Sequence, residues 1–152
     1  METKKKADRY QRIYKQLEEL LTKSSDPTAR MATIAAVLYH KMDDFFWCGF
    51  YRLVEGELTV GPYQGPVACQ VLKKDTGVCW AGLNAGKSIV VPDVEKFPGH
   101  IACDSRSKSE IVVPIFDNAG NAYGVLDVDS TALNSFDDVD REWLERIVRL
   151  LY

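Results

Sequence analysis

The sequence has no long hydrophobic run. Its longest apolar stretches, such as Ile111–Phe116, fall far short of the ~20 residues a membrane span requires. The charged start of the chain has no apolar secretory core, so a cytosolic location is expected, where cysteines rarely form structural disulfides. Basic charge is not in excess: 19 Lys and Arg stand against 22 Asp and Glu, a net charge of −3. That argues against nucleic acid as a partner, because phosphate contacts need a basic face. The one basic cluster, Lys4, Lys5 and Lys6, reads as a solvated terminus. No internal repeat, no low-complexity tract and no phosphate loop of the GxGxxG or GxxxxGK type is present. The nucleophile elbow that a Ser/His/Asp hydrolase needs is missing too. Paired metal ligands are nearly absent: of His100, Cys103, Cys69 and Cys79, only His100 and Cys103 come within the two to four residues that structural zinc usually demands. No metal and no organic cofactor is expected.

What remains is a chain of 152 residues, 46% of them hydrophobic, the size of one domain with a core of its own. We expect a single domain over residues 1–152. Residues 7–22 carry Tyr10, Ile13, Tyr14, Leu17, Leu20 and Leu21 at helical spacing. Asp26 and Pro27 supply an N-cap and a first helical residue for a second helix, with Met31, Ile34, Ala35, Leu38 and Tyr39 inward. The period then changes. Phe46–Leu53 and Leu58–Val60 read as strands around the turn Glu55-Gly56, and a third strand is expected over Pro66–Leu72. A short helix begins near Gly77 and a short strand covers Ser88–Val91. Residues 92–109 are too polar for core and long for a connection, the marks of a functional loop. Ile111–Phe116 and Ala122–Val128 are strands, and residues 137–151 close as a helix. Helices at both ends with five or six hairpin-joined strands between them imply an α+β fold, a mainly antiparallel sheet covered by helices.

Two sets of residues carry chemistry. Cys103, in the polar loop beside His100, sits where a thiolate is more readily formed than in a core. Cys69 and Cys79 follow turn signals within 35 residues of it and offer a partner for its oxidised form. Glu110 ends the loop, and Asp127 and Asp129 fall on one face of a strand, about 7 Å apart. Carboxylates on a strand of Val, Leu and Tyr are costly unless they hold something, although Asp129-Ser130 would also suit a strand-end turn. A Cys–His hydrolase through Cys103 with His100 or His40 is awkward on spacing.

Taken together and in order, Gly61–Gly65 with Ala68-Cys69, Gly77–Cys79, Gly99–Asp104, Ser109–Pro114 and Gly124–Ser130 resemble the free methionine-(R)-sulfoxide reductases, which are single GAF domains. The resemblance runs over nearly the whole chain, including Trp47–Tyr51. It implies that Cys103 is the attacking cysteine, Cys69 the usual resolving cysteine and Cys79 a secondary one. By the same resemblance Glu110, Asp127 and Asp129 hold the substrate and its sulfoxide oxygen, and Trp47 and Tyr51 line the pocket. Position 48 departs from the family pattern, with Cys for a small residue such as Ala, and so does position 80, with Trp for Gly.

The implied reaction is attack of the Cys103 thiolate on the sulfoxide sulfur while a carboxylic acid protonates the oxygen. A crowded, desolvated carboxyl keeps such a proton at neutral pH. A sulfenic acid, a disulfide with Cys69 or Cys79 and re-reduction by thioredoxin would follow. The rival reading is a non-enzymatic GAF module that binds a small molecule and signals; fold alone never decides between them. The apolar faces of the terminal helices would support a homodimer.

Overall fold

The computed structural model describes residues 2–100 and 103–152; Ile101 and Ala102 of the loop motif lie outside the described residues. Helix α1 (Thr3–Leu20) turns Tyr10, Ile13 and Leu17 into the core, and α2 (Pro27–Lys41) does the same with Met31, Ile34, Ala35 and Leu38. Asp26 caps α2 as its sequence suggests, accepting from the Ala29 N–H at 3.0 Å. Lys6 is not solvated. Its ammonium reaches Asp140 at 2.7 Å and Asp137 at 3.4 Å, and Tyr10 donates to the other Asp140 oxygen at 2.5 Å. Asp140 also closes the capping box of α4 (Asp138–Val148), so one buried carboxylate joins the first helix to the last. A run of three lysines hides this, because only the third falls on the same helix face as Tyr10 and Ile13.

Between the helices stands a five-stranded antiparallel sheet: β1 (Trp47–Val54), β2 (Glu57–Gln64), β3 (Ile89–Val91), β4 (Ser109–Phe116) and β5 (Ala122–Ser130), in the order β2-β1-β5-β4-β3. The expected α+β class and antiparallel sheet are borne out. Glu55 and Gly56 both take positive φ, 52° and 81°, the conformation that lets a two-residue turn follow the strands' twist into a hairpin. One face of the sheet packs Cys48, Phe50, Ile111, Val113, Leu126 and Val128 against α1, α2 and α4. The other packs Tyr51, Val112 and Val125 against α3 (Gly77–Ala85), through Val78, Cys79, Trp80 and Leu83.

Several expectations need correction. Residues 66–72 form no strand; only the bridge Thr59↔Val71 ties this segment to the sheet edge. Three of its carbonyls, those of Pro66, Cys69 and Leu72, find side-chain partners instead, which strand propensity does not anticipate. Glu110 does not end a loop: β4 begins at Ser109 and Glu110 pairs with Asp129 inside the ladder. Asp129 and Ser130 are strand residues, not a turn. Cys79 lies in the first turn of α3, the short helix expected near Gly77, and is buried. Among the described residues, no helix is long and apolar enough to cross a membrane.

Candidate active site

Strand register builds the site. Residues opposite one another in neighbouring strands share a face. The pairs Trp47↔Asp129 and Glu110↔Asp129 therefore make one row across β1, β5 and β4, and Gly49↔Asp127↔Val112 the next. This is the α3 face, and Cys79 descends onto it: its sulfur and an oxygen each of Glu110 and Asp127 lie within 4.8 Å of one another. Gly49 leaves room for the floor. A Cβ there would stand 2.2 Å from the Tyr63 Cβ and 2.8 Å from the Trp47 ring. Trp47 uses that space to stack between Tyr51 and Tyr63, with centroids 5.8 and 5.2 Å away.

Above this floor opens a cavity of about 310 Å³, at the small end of the range for sites that take small molecules. Trp47, Tyr51, Cys79, Glu110, Asp127 and Asp129 are among its walls. Glu110 and Asp127 retain only 5% and 6% of their exposure, while Asp129 is half-buried. Burial pushes the Glu110 carboxyl well above the usual carboxylate range, and the Asp127 and Asp129 charges push it further. Asp129 is raised well above that range too, by burial and then by Asp127. Asp127 is also raised by burial, but hydrogen bonds with Glu110 and Cys79 oppose that shift. All three carboxyls are thus raised, and Asp127 is the one whose Glu110 and Cys79 neighbours both oppose the shift. Asp127 Oδ1 is buried with no hydrogen-bond partner among the described residues, an acceptor with room for a further donor. Burial first, and then Asp127, raises the Cys79 thiol. Burial likewise raises Tyr51, with Asp127 adding to it.

The same cavity meets a disulfide at its mouth. Cys69 and Cys103 are bonded, with Cα atoms 5.6 Å apart, and Cys48 and Cys79 are free. This bond removes two of the four residues considered as zinc ligands. Cys79, Glu110 and Asp127 offer donor types a cation could use. The residues that follow Cys103 are tied to one another and to Phe46. Asp104 accepts from the Arg106 backbone at 2.9 Å and from its guanidinium at 3.0 and 2.6 Å, and these bonds hold its carboxyl down at about 2. The guanidinium lies 4.8 Å over the Phe46 ring. His100 borders the cavity, its pKa lowered by burial.

Cys69 sits on the segment the sheet does not take up. Three ring donors hold its backbone: Trp47 Nε1 donates to Pro66 O at 3.0 Å, Tyr51 OH to Cys69 O at 3.1 Å and Trp80 Nε1 to Leu72 O at 3.3 Å. Two ladder-like bonds add to them, Val60 N–H to Gln70 O at 2.8 Å and Leu72 N–H to Leu58 O at 3.0 Å. All eight residues singled out in the sequence thus come to one place: Trp47, Tyr51, Cys69, Cys79, Cys103, Glu110, Asp127 and Asp129. Sequence reasoning missed the supports, namely Gly49 with Tyr63, Phe46 with Arg106, and the use of Trp80. The tryptophan was visible as a departure; what it holds was not. The other departure, Cys48, is fully buried on the opposite face of the sheet and does not enter the site.

The GAF-domain family profile matches residues 24–151. The chain is similar to GAF domain-containing protein A of Dictyostelium discoideum, 48% identical over 147 residues that cover 96% of this chain and 92% of the other. It is 36% identical over 146 residues to the free methionine-R-sulfoxide reductase of Escherichia coli, covering 96% and 88%. Among solved structures, the free methionine-R-sulfoxide reductase of Neisseria meningitidis in complex with its substrate superposes with a TM-score of 0.91 at 40% identity, covering 96% of this chain and 87% of that one.

Proposed function

The chain belongs to the GAF-domain family and, within it, to the free methionine-R-sulfoxide reductases, and from that premise we propose that it reduces free L-methionine (R)-sulfoxide through Cys103. The observation that carries this reading is a disulfide-forming cysteine pair opening onto the same cavity as three crowded carboxyls. A sulfoxide needs both a soft nucleophile for its sulfur and a proton for its oxygen. Here Cys103 supplies the first and the acidic row the second.

In the reduced enzyme the Cys103 thiolate attacks the sulfoxide sulfur. Glu110 or Asp129, each kept protonated by burial, donates to the oxygen as the S–O bond breaks. The protonated oxygen passes from the substrate sulfur to Cys103 Sγ, the transient bond between the two sulfurs breaks, methionine departs, and Cys103 is left as a sulfenic acid. The Cys69 thiol gives up its proton as it attacks Cys103 Sγ, the hydroxyl leaves with that proton as water, and the Cys69–Cys103 bond closes. Two electrons from a dithiol protein, thioredoxin in this reading, reopen it. The Asp127 carboxylate, with its partnerless oxygen, binds the α-ammonium of the substrate. A peptide-bound methionine has no such ammonium, so the free amino acid is preferred. Trp47 and Tyr51 pack the side chain. Cys79 serves as a pocket wall whose thiol burial keeps neutral, which leaves the resolving role to Cys69.

The test is NADPH consumption by thioredoxin reductase and thioredoxin, with separated R and S forms of free methionine sulfoxide. Turnover of the R form alone is expected. Cys103→Ser should abolish it, whereas Cys69→Ser should release one methionine per enzyme and stall with thioredoxin. Turnover by Cys103→Ser would remove the nucleophile assignment, and full recycling by Cys69→Ser would move the resolving role to Cys79. If the wild type turns over with neither thioredoxin nor dithiothreitol, a non-enzymatic binding module is the better reading.

A further inference from the structure

The Cys69 segment has an inner side and an outer side with different properties. Inward, its backbone is fixed at residues 66, 69 and 72 by the three ring donors. Outward, it carries Val67 at 85% exposure and Val71 at 45%. Single exposed apolar side chains are ordinary. These two stand two residues either side of a disulfide cysteine, on a backbone with little freedom to fold them in, and both border the cavity mouth where Cys103 emerges. Cys103 is exposed and Cys69 half-buried. The surroundings are cationic on balance: Lys73 and Lys74 follow the segment, and Arg106 and Lys108 follow Cys103, all exposed, against Asp75 and Asp104 on the same stretches. Of these four, only Arg106 is neutralised by an ion pair among the described residues, with Asp104.

We infer that Val67 and Val71 are the landing surface for the protein dithiol that reduces the Cys69–Cys103 bond, a partner with an apolar collar around its thiols and acidic groups beyond it. The inference rests on the reductase reading. A disulfide is reopened only by an external thiolate that reaches one sulfur in line with the S–S bond, and a protein reductant must hold that approach through noncovalent contact. The partner's first thiolate attacks the more exposed Cys103 Sγ. A mixed disulfide forms, the Cys69–Cys103 bond breaks and Cys69 leaves as a thiolate. The partner's second thiol then attacks the mixed disulfide, closes the partner's own disulfide and releases Cys103 as a thiolate. Two electrons have passed to this protein, and the two thiol protons of the partner balance its two new thiols. Apolar side chains flanking the target sulfurs supply contact without competing for the attacking thiolate, and the lysine rim steers an acidic partner.

The experiment compares Val67→Asp, Val71→Asp and the milder Val67→Ala in two assays that differ only in reductant. With thioredoxin, thioredoxin reductase and NADPH, the aspartate variants are expected to raise the KM for thioredoxin about tenfold and Val67→Ala about threefold, the range of well-placed interface contacts. With dithiothreitol, kcat and the KM for methionine (R)-sulfoxide should match the wild type in all three, which also shows that the variants are folded. Raising salt from about 20 to about 300 mM should increase the wild-type KM for thioredoxin, since exposed charges are screened over that range. An unchanged KM for thioredoxin in both aspartate variants would overturn the inference. So would a raised KM for the sulfoxide under dithiothreitol, which would make the valines a substrate wall, or wild-type turnover with dithiothreitol but none with thioredoxin. Silence of the wild type with both reductants would instead bring down the reductase reading, and the inference with it.

Discussion

Replacing Glu110 by Gln should make the protein a worse enzyme and, above weakly acidic pH, a more stable one. Glu110 is buried beside Asp127, and burial, followed by the Asp127 and Asp129 charges, raises its folded pKa well above the unfolded value of 4.5. Once the pH exceeds that unfolded value, the unfolded chain has lost its proton while the fold keeps one. The native state then binds more protons, so stability falls as pH rises until the folded pKa is passed. The slope in that window is about 1.4 kcal/mol per pH unit for each carboxyl that keeps its proton. Glutamine has nearly the same shape, cannot ionise, and its amide can donate to the partnerless Asp127 Oδ1. It removes one carboxyl's share of the slope and relieves its neighbours as well.

The assay is urea unfolding at intervals between pH 5 and 8, with the Cys69–Cys103 bond kept oxidised. The wild-type unfolding free energy should decline across this window, and the variant should decline less steeply, by up to about 1.4 kcal/mol per pH unit. The two lines should diverge as pH rises. Under dithiothreitol, kcat/KM for methionine (R)-sulfoxide should fall about 10²-fold or more, the usual effect of losing a general acid. Parallel stability lines for wild type and variant would refute the account of the acidic row, whatever the activity did.

Trp80→Phe keeps an aromatic ring in α3 but deletes the N–H that reaches Leu72 O at 3.3 Å and leaves a smaller ring in a buried site. About 1 kcal/mol of stability should go with the hydrogen bond, and more with the lost packing. Release of the first methionine should keep its rate, while closure of the Cys69–Cys103 bond slows and a sulfenic acid accumulates that dimedone can trap; an unaltered closure rate would detach Trp80 from the resolving step. Gly49→Ala puts a methyl group 2.2 Å from the Tyr63 Cβ and 2.8 Å from the Trp47 ring. Thermal unfolding should show a loss of about 1–3 kcal/mol, with a raised KM for the sulfoxide as the aromatic floor shifts. A variant as stable and active as the wild type would mean that the floor yields without cost.

The legible part of this protein is the part governed by local rules. The 3-4 spacing of Tyr10, Ile13 and Leu17, the Asp26-Pro27 start of α2 and the Glu55-Gly56 turn each depend on a few neighbouring residues. Period-two alternation placed Asp127 and Asp129 on one face. It could not reveal that Glu110 shares their face, because that depends on register with Asp129, nineteen residues away in sequence. Residues 66–72 read as a strand for a similar reason. Their composition suits one, but the sheet gives them a single bridge, and indole and phenol donors take over the pairing. Lys6 failed in the same way: a lysine among lysines is solvated unless a distant Asp140 comes to meet it.

The cysteines show what burial adds to spacing. Cys69 and Cys79 are ten residues apart, both precede Cys103, and by residue type either could resolve a sulfenic acid. In the fold, Cys79 lies on the acid floor, where desolvation and the Asp127 charge both oppose its ionisation. Cys69 rides the clamped segment at the rim, bonded to Cys103. The two halves of the proposed chemistry need opposite surroundings. A proton donor for the sulfoxide oxygen works best where a carboxyl is kept dry and crowded, which is the strand floor under α3. A thiol that must be oxidised and reduced on every turnover has to be met by a large external partner, and only the rim allows that. A thiol on the floor would be too neutral to attack and too deep to be reduced, and a carboxyl at the rim would give up its proton to water. The placing of an exposed Cys103 and a buried Glu110 and Asp127 on the walls of one cavity is therefore the feature on which the proposed reaction depends.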